Sequence, residues 1–67
     1  MANLNILKGK LREKGKTYSD CAAAIGISTT SFSEKINGRR NFTVEEANDV
    51  SVFLEMTDKE KVDIFLR

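Results

Sequence analysis

Residues 17–38 read TYSDCAAAIGISTTSFSEKING and contain two short helical patterns joined by a tight turn at 26–28. The hydroxyl of Thr17 is placed to accept from the free backbone N–H groups at the start of the first helix. Gly26 ends that helix, because glycine adopts the left-handed backbone conformation at low steric cost. Ser28 is then placed to cap the second helix. The stretch predicts a pair of helices that meet at a sharp angle.

The two helices of this stretch differ in their apolar content. One face of the first helix is predicted to be buried and consists of Cys21, Ala22 and Ile25. The second helix, from about 28 to 37, has only Phe32 and Ile36 to bury. Its polar side chains are predicted to face outward and comprise Thr29, Thr30, Ser33, Glu34 and Lys35. A helix so poor in apolar residues indicates a surface that contacts a partner.

The rest of the chain predicts three more helices and no strand. The first runs from about 3 to 14, with an apolar stripe of Leu4, Leu7 and Leu11 and a stop at Gly15. The last two begin at capping boxes, in which a threonine and a glutamate satisfy each other's backbone N–H groups, at 43–46 and 57–60. The apolar residues behind the first box are Val44, Ala47, Val50 and Leu54, with Phe53 beside them. Those behind the second are Val62, Phe65 and Leu66, with Ile64 on a different face.

Length and composition predict one small domain spanning 1–67. A chain of about 60 residues buries only about 60% of its unfolded surface, so association commonly supplements its thin core. Hydrophobic residues make up 40% and charged residues 31%, which is typical of a globular protein. No apolar run is long enough for a transmembrane span or a signal peptide. The single cysteine, Cys21, excludes an internal disulfide and favours a cytoplasmic location.

The net charge is only +1, but the two parts of the chain carry opposite charges. Residues 1–42 hold eight basic and three acidic side chains, giving +5, whereas residues 43–67 hold three basic and seven acidic ones, giving −4. A molecule with this asymmetry can orient its basic end toward phosphates. The lysines at 8–16 are equally well explained as the solvated outer face of the first helix.

The whole pattern resembles the helix-turn-helix proteins of the phage repressor and Cro type, the XRE family, over nearly the whole chain. The residues that carry the resemblance are Ala22, Ile25, Gly26, Ile27, Phe32 and the Asn37-Gly38 stop. The resemblance implies a compact all-α, five-helix lambda-repressor-like domain whose helices 2 and 3 form the helix-turn-helix. Two residues depart from the family pattern: Lys35 stands where an aliphatic core residue is common, and Tyr18 stands where glutamine is frequent.

The same resemblance implies a sequence-specific double-stranded DNA-binding transcriptional regulator with its recognition helix in the major groove. Candidate contacts on that helix are Ser28, Thr29, Thr30, Ser33, Glu34 and Lys35. Further candidates are Thr17, Tyr18 and Ser19 at the start of the motif's first helix, and Arg39, Arg40 and Asn41 after its second. Hydroxyl side chains can bond to bases or phosphates, and the two arginines are the best phosphate ligands in the chain.

A small protein-binding module that uses the exposed face of helix 3 is the alternative function. Such a face more often carries a large apolar or aromatic anchor, which this helix lacks. An enzyme is not expected, because the chain has no histidine and its cysteine lies on an apolar face. No metal or cofactor is expected either, since the carboxylates are spread over helical surfaces and no glycine-rich phosphate loop is present.

A homodimer on a pseudo-palindromic operator is also expected. One helix-turn-helix unit contacts only a few base pairs, so specific binding normally needs two copies. The predicted interface is the last helix, with Ile64, Phe65 and Leu66 and the nearby Met56. The short chain resembles a Cro-like or minimal repressor more than a two-domain one, although it is equally compatible with a fragment of a longer regulator.

Overall fold

Five helices follow one another along residues 3–66, the part of the chain that the computed structural model describes. They are α1 (Leu4–Glu13), α2 (Tyr18–Ile25), α3 (Thr29–Ile36), α4 (Val44–Phe53) and α5 (Asp58–Phe65). No β-strand occurs within 3–66, so the predicted all-helical class and helix order are confirmed. None of these helices has the length and apolar content needed to cross a bilayer.

Every helix begins at a side chain that caps its free N–H groups, and these caps are Asn3, Thr17, Ser28, Thr43 and Thr57. Both predicted capping boxes are present, and in each the threonine N–H donates to the glutamate Oε1 at 2.9 Å. A third box starts α2, where Asp20 accepts the N–H of Thr17 at 2.9 Å. Each cap is worth about 1 kcal/mol, which is a large share for a domain this small.

The connection between α2 and α3 is the predicted tight turn. Gly26 has a φ of 78°, in the left-handed region, and the next N–H, that of Ile27, donates to the Ala22 carbonyl at 3.0 Å. Ser28 then starts α3, because its Oγ accepts the N–H of Ser31 at 3.1 Å. These local bonds fix the direction in which α3 leaves α2, and the two helices pack against each other as a helix-turn-helix.

The core lies where α2 packs on α3 and α4 and where α1 packs on α5 and α3. Its fully buried members come from all five helices and include Leu7, Cys21, Phe32, Ile36, Val50, Leu54 and Ile64. A row of aromatic rings crosses the molecule, with centroids 5.6 Å apart between Tyr18 and Phe32, 5.7 Å between Phe32 and Phe42, and 5.6 Å between Phe42 and Phe65. The row ties the start of α2 to the end of α5.

The predicted core stripe of α4 is wrong at its first residue, and the predicted interface set of α5 is wrong at Ile64. Val44, predicted to be buried, is 90% exposed, and Ser51 takes a buried place on α4 with its hydroxyl donating to the Ala47 carbonyl at 2.7 Å. On α5, Ile64 is fully buried, whereas Leu66 is 69% exposed. Packing of α5 on α1 selects this face, since the N–H of Asn3 donates to the Ile64 carbonyl at 2.6 Å. Ile64 is therefore a core residue and not part of a dimer interface.

Lys35 was predicted to face outward from α3, and that prediction is also wrong. The residue is 6% exposed, and its Nζ lies 2.5 Å from Oε1 of Glu46 on α4. The hydrogen bond from Lys35, followed by the one from the Thr43 N–H, lowers the pKa of the Glu46 carboxyl. Lys35 thus occupies a position in the core, with a carboxylate neutralising its charge.

Two glycines predict stability changes of opposite sign. Gly38 has a φ of 82°, which L side chains rarely adopt, so Gly38→Ala is expected to lower the free energy of unfolding by about 1 kcal/mol. The cost comes from the backbone and not from a clash, because the added Cβ would lie 3.7 Å from Cδ1 of Leu4. Gly9 lies inside α1 with open space around it, so Gly9→Ala is expected to raise that free energy by roughly 0.5–1 kcal/mol. Urea unfolding followed by circular dichroism measures both, and the same sign for both would contradict the assigned backbone conformations.

A second ion pair joins α1 to α5 and makes the free energy of unfolding depend on pH in the acidic range. Nζ of Lys10 lies 2.5 Å from Oε2 of Glu60 and 3.2 Å from Oε1 of Glu13. The hydrogen bond from Lys10, followed by that from the Thr57 N–H, lowers the pKa of the Glu60 carboxyl to about 2. The same bond to Glu60 is the largest cause that raises the pKa of Lys10.

Because the pKa of Glu60 is lower in the folded protein than its ordinary value of 4.5, the folded state binds fewer protons between these two values. The stabilisation is complete above pH 4.5 and is lost as the pH falls through about 2. Glu60→Gln is expected to reduce the fall in the free energy of unfolding between pH 4.5 and about pH 2. Urea midpoints at several pH values measure this fall. Glu45→Gln, on an exposed residue, is the control, and equal effects of the two substitutions would contradict this origin.

Candidate nucleic-acid interface

The exposed face of α3, with its N-cap, carries five of the twelve predicted contact residues. Ser28, Thr29 and Thr30 are exposed at its start, and Ser33 and Glu34 are half-buried one turn later. The Ser28 hydroxyl is already used as the cap, so the open hydroxyls at this end are those of Thr29 and Thr30. The apolar side chains of α3, Phe32 and Ile36, are fully buried on the opposite side. This face therefore offers hydrogen-bonding groups without an apolar anchor.

The start of α2 lies beside the middle of α3, because the Tyr18 ring packs on the Phe32 ring. Thr17 and Ser19 are exposed and Tyr18 is half-buried. Thr17 donates its N–H to the Asp20 carboxylate, and its hydroxyl accepts the Asp20 N–H. The hydrogen bond from the Thr17 backbone, followed by that from its side chain, lowers the pKa of the Asp20 carboxyl. The Ser19 hydroxyl and the N–H groups of Tyr18 and Ser19 remain for a ligand.

The segment after α3 is held in place by backbone bonds. The N–H of Gly38 donates to the Lys35 carbonyl at 3.1 Å, and the N–H of Arg39 donates to the Glu34 carbonyl at 2.9 Å, which is the Schellman pattern of a helix end. Arg39, Arg40 and Asn41 follow directly and are exposed. Nη1 of Arg40 turns back to within 3.5 Å of Oε1 of Glu34. The turn thus places the arginine pair beside the polar face of α3.

Lys8 is a cation near this surface, and the sequence left open whether it faces phosphates or only solvent. Its Nζ lies 2.8 Å from Oδ1 of Asn37, whose Nδ2 donates to the Ser33 carbonyl at 2.8 Å. A positive charge at a helix C-terminus is favourable because of the helix dipole. Lys8 and Asn37 are 29 residues apart, so no local pattern in the sequence could reveal this contact.

Lys35 does not contribute to the exposed face, since its ammonium group is buried against Glu46. The charged side chains at or beside this face are the cations Lys8, Arg39 and Arg40 near the end of α3 and the carboxylate Glu34, which contacts Arg40. The cations are suited to phosphate oxygens, and the hydroxyls at the start of α3 are suited to phosphate oxygens and to base edges.

Other chemistry finds little support among residues 3–66. No three histidine, cysteine, aspartate or glutamate side chains in this range lie close enough together to hold a metal ion. Cys21 is fully buried as predicted, and burial is the main cause that raises the pKa of its thiol to about 11. A thiol in this state is a core residue rather than a nucleophile.

Comparison with known proteins adds no family assignment. No protein-family model matches this chain, and no curated protein matches it with significance. The class of molecule is defined by the structure as a small five-helix domain in which α2 and α3 form a helix-turn-helix. The residues of its exposed surface are the basis for a proposal about what it binds.

Proposed function

We propose that this chain is a sequence-specific double-stranded DNA-binding transcriptional regulator of the Cro or repressor type, acting in the cytoplasm, with α3 in the major groove. The observation that carries the proposal is the polar, anchor-free face of α3, held by a helix-turn-helix turn and followed at once by exposed Arg39 and Arg40. Helices presented in this way contact base edges with their N-terminal residues while flanking groups contact the backbone.

Each part of the surface has a role in this proposal. Thr29 and Thr30 contact base edges, where a hydroxyl bonds to a base and a methyl packs on a thymine methyl. Lys8, Arg39 and Arg40 bind phosphates, which positions α3 and supplies affinity that falls with salt. Ser19 and the first N–H groups of α2 are placed for a further phosphate, because the first helix of the motif crosses the backbone.

Fluorescence anisotropy of a labelled random duplex at increasing salt tests this function. The logarithm of the binding constant is expected to fall linearly with the logarithm of salt concentration, with a slope of about −0.9 for each phosphate contacted. Selection from a random duplex library is then expected to return a pseudo-palindromic site. Absence of duplex binding at low salt would contradict the proposal.

Protein binding through the same face of α3 remains the alternative. It is less favoured, because interface hot spots are typically aromatic or large apolar side chains, and those of α3 are buried. If the chain binds a protein instead of DNA, added duplex DNA is expected to leave the polar face of α3 unchanged.

A partly apolar groove supports the proposed homodimer. It has a volume of about 650 Å³ and lies between the segment after α3, the start of α4 and the end of α5. Its apolar residues are Leu4, Phe42, Val44, Ala47, Phe65 and Leu66, and the rest of its lining is Lys35, Gly38, Arg40, Asn41, Thr43 and Lys61. Val44 and Leu66 are the most open of these, at 90% and 69% exposed. We place the contact with a second copy here, with Phe65 and Leu66 of the predicted set and without the buried Ile64.

Val44→Asp is expected to convert the dimer to a monomer while the fold is kept, because an aspartate in the first turn of α4 suits the helix dipole. Val52→Asp is the matched control, since Val52 is 72% exposed on the same helix but does not line the groove. Sedimentation velocity with and without operator DNA measures the change. A wild-type protein that stays monomeric at high micromolar concentration in both conditions would contradict the dimer.

A further inference from the structure

We propose that Glu34 is a specificity-determining residue that withholds Arg40 from random DNA and releases it at sites with a cytosine beneath Glu34. This inference rests on the proposed function and deepens it. It concerns the pair formed by the one carboxylate on the exposed face of α3 and the second of the two arginines that follow it.

The geometry of the helix end brings the two groups together. Gly38, with a φ of 82°, reverses the chain, and the bond from the Arg39 N–H to the Glu34 carbonyl fixes the next residue over the last turn of α3. Nη1 of Arg40 and Oε1 of Glu34 are then 3.5 Å apart. The side chains remain 56% and 39% exposed, so solvent or a phosphate can compete for the arginine. An exposed ion pair of this kind is weak enough to exchange partners.

Glu34 has a restricted choice of partners near DNA. An ionised carboxylate only accepts hydrogen bonds, and the phosphate backbone offers it no donor. In the major groove, the amino groups of cytosine and adenine are the donors, and a glutamate favours cytosine because the adenine amino group lies between two acceptors that repel a carboxylate. Glu34 also lies one turn after Thr30 on the same helix, which places it over the base edges in the proposed docking.

The two choices make the phosphate contact of Arg40 depend on the base sequence. Where a cytosine amino group meets Glu34, the carboxylate exchanges Arg40 for that donor, and Arg40 binds a phosphate. Elsewhere the carboxylate competes with the phosphates for Arg40, so that contact is made in a smaller fraction of complexes. Discrimination then arises from a weaker phosphate contact of Arg40 on random DNA, in addition to the direct bond to the base.

Glu34→Gln tests the proposal, with Glu45→Gln as a control that makes the same charge change on an exposed residue of α4. On a random duplex, Glu34→Gln is expected to raise affinity about threefold at low salt and to steepen the salt slope by part of the roughly 0.9 that one phosphate contact contributes. In the Arg40→Gln background, Glu34→Gln is expected to raise affinity less and to leave the salt slope unchanged. Library selection with Glu34→Gln is expected to lose the preference for cytosine at one position of each half-site.

The possible results distinguish failure of this inference from failure of the proposed DNA binding. Equal effects of Glu34→Gln and Glu45→Gln would show a general charge effect and overturn the inference. An unchanged random-duplex affinity and salt slope for Glu34→Gln, with wild-type protein still binding DNA, would overturn it alone. No duplex binding by any variant would overturn the proposed function together with it.

Discussion

Replacing both Arg39 and Arg40 by glutamine is expected to weaken binding to the selected operator roughly 100-fold at about 50 mM salt. The two arginines are exposed directly after α3, and the Schellman turn at Gly38 holds them beside its polar face. Each lost phosphate contact removes the release of about 0.9 counterions, so the salt slope becomes shallower by about 1.8 per bound protomer. Anisotropy titrations at several salt concentrations measure both quantities.

The matched control for this pair is Lys59→Gln, which removes a positive charge from an exposed position on α5 in the acidic part of the chain. It is expected to change the operator affinity by less than about threefold, because salt screens the attraction between DNA and an exposed charge that does not contact it. Circular dichroism of the double arginine variant is expected to match wild type. An unchanged salt slope in the double variant would contradict the role given to the arginines.

Lys35→Ala is expected to lower the free energy of unfolding by about 3 kcal/mol, because it removes one partner of a buried ion pair. The side chains of Lys35 and Glu46 are only 7% and 15% exposed, and removal of the lysine leaves a buried carboxylate with the Thr43 N–H as its remaining donor. A domain of this length has a total stability of roughly 3–10 kcal/mol. The variant should therefore be close to unfolding at room temperature.

A double substitution separates the cost of leaving Glu46 without its partner from the contribution of the Lys35–Glu46 ion pair itself. Lys35→Met with Glu46→Gln removes both charges and keeps the volume, so it is expected to recover a large part of the stability that Lys35→Ala loses. Lys59→Ala, on an exposed lysine, is the control and should fall within about 0.5 kcal/mol of wild type. Urea unfolding measures all three variants, and a loss below about 1 kcal/mol for Lys35→Ala would contradict the buried pair.

The features that could be predicted from the sequence are those that depend on neighbouring residues. Capping bonds join residues three positions apart, and the left-handed turn at Gly26 needs only a glycine, so the helix boundaries follow from local chemistry. The core of α2 and α3 also follows, because Cys21, Ala22 and Phe32 are apolar residues at helical spacing.

The features that could not be predicted depend on contacts distant in sequence. A lysine among polar residues indicates exposure, and only Glu46 from another helix makes burial of Lys35 tolerable. Periodicity left the buried face of α5 ambiguous, and its packing on α1 decided in favour of Ile64. In the candidate site, the exposure of Thr29, Thr30 and the arginines was predicted, whereas the bond from Lys8 to Asn37 was not.

An NMR titration of the ¹⁵N-labelled protein with a random duplex, at low and then rising salt, tests the central claim most directly. The proposal predicts shifts concentrated at 17–19, 28–34 and 39–41 and at Lys8, fading as salt increases. The buried ammonium group of Lys35 and the groove residues Val44 and Leu66 are expected to respond little. Amides of the α3 face that stay unchanged at low salt would contradict DNA binding through this surface.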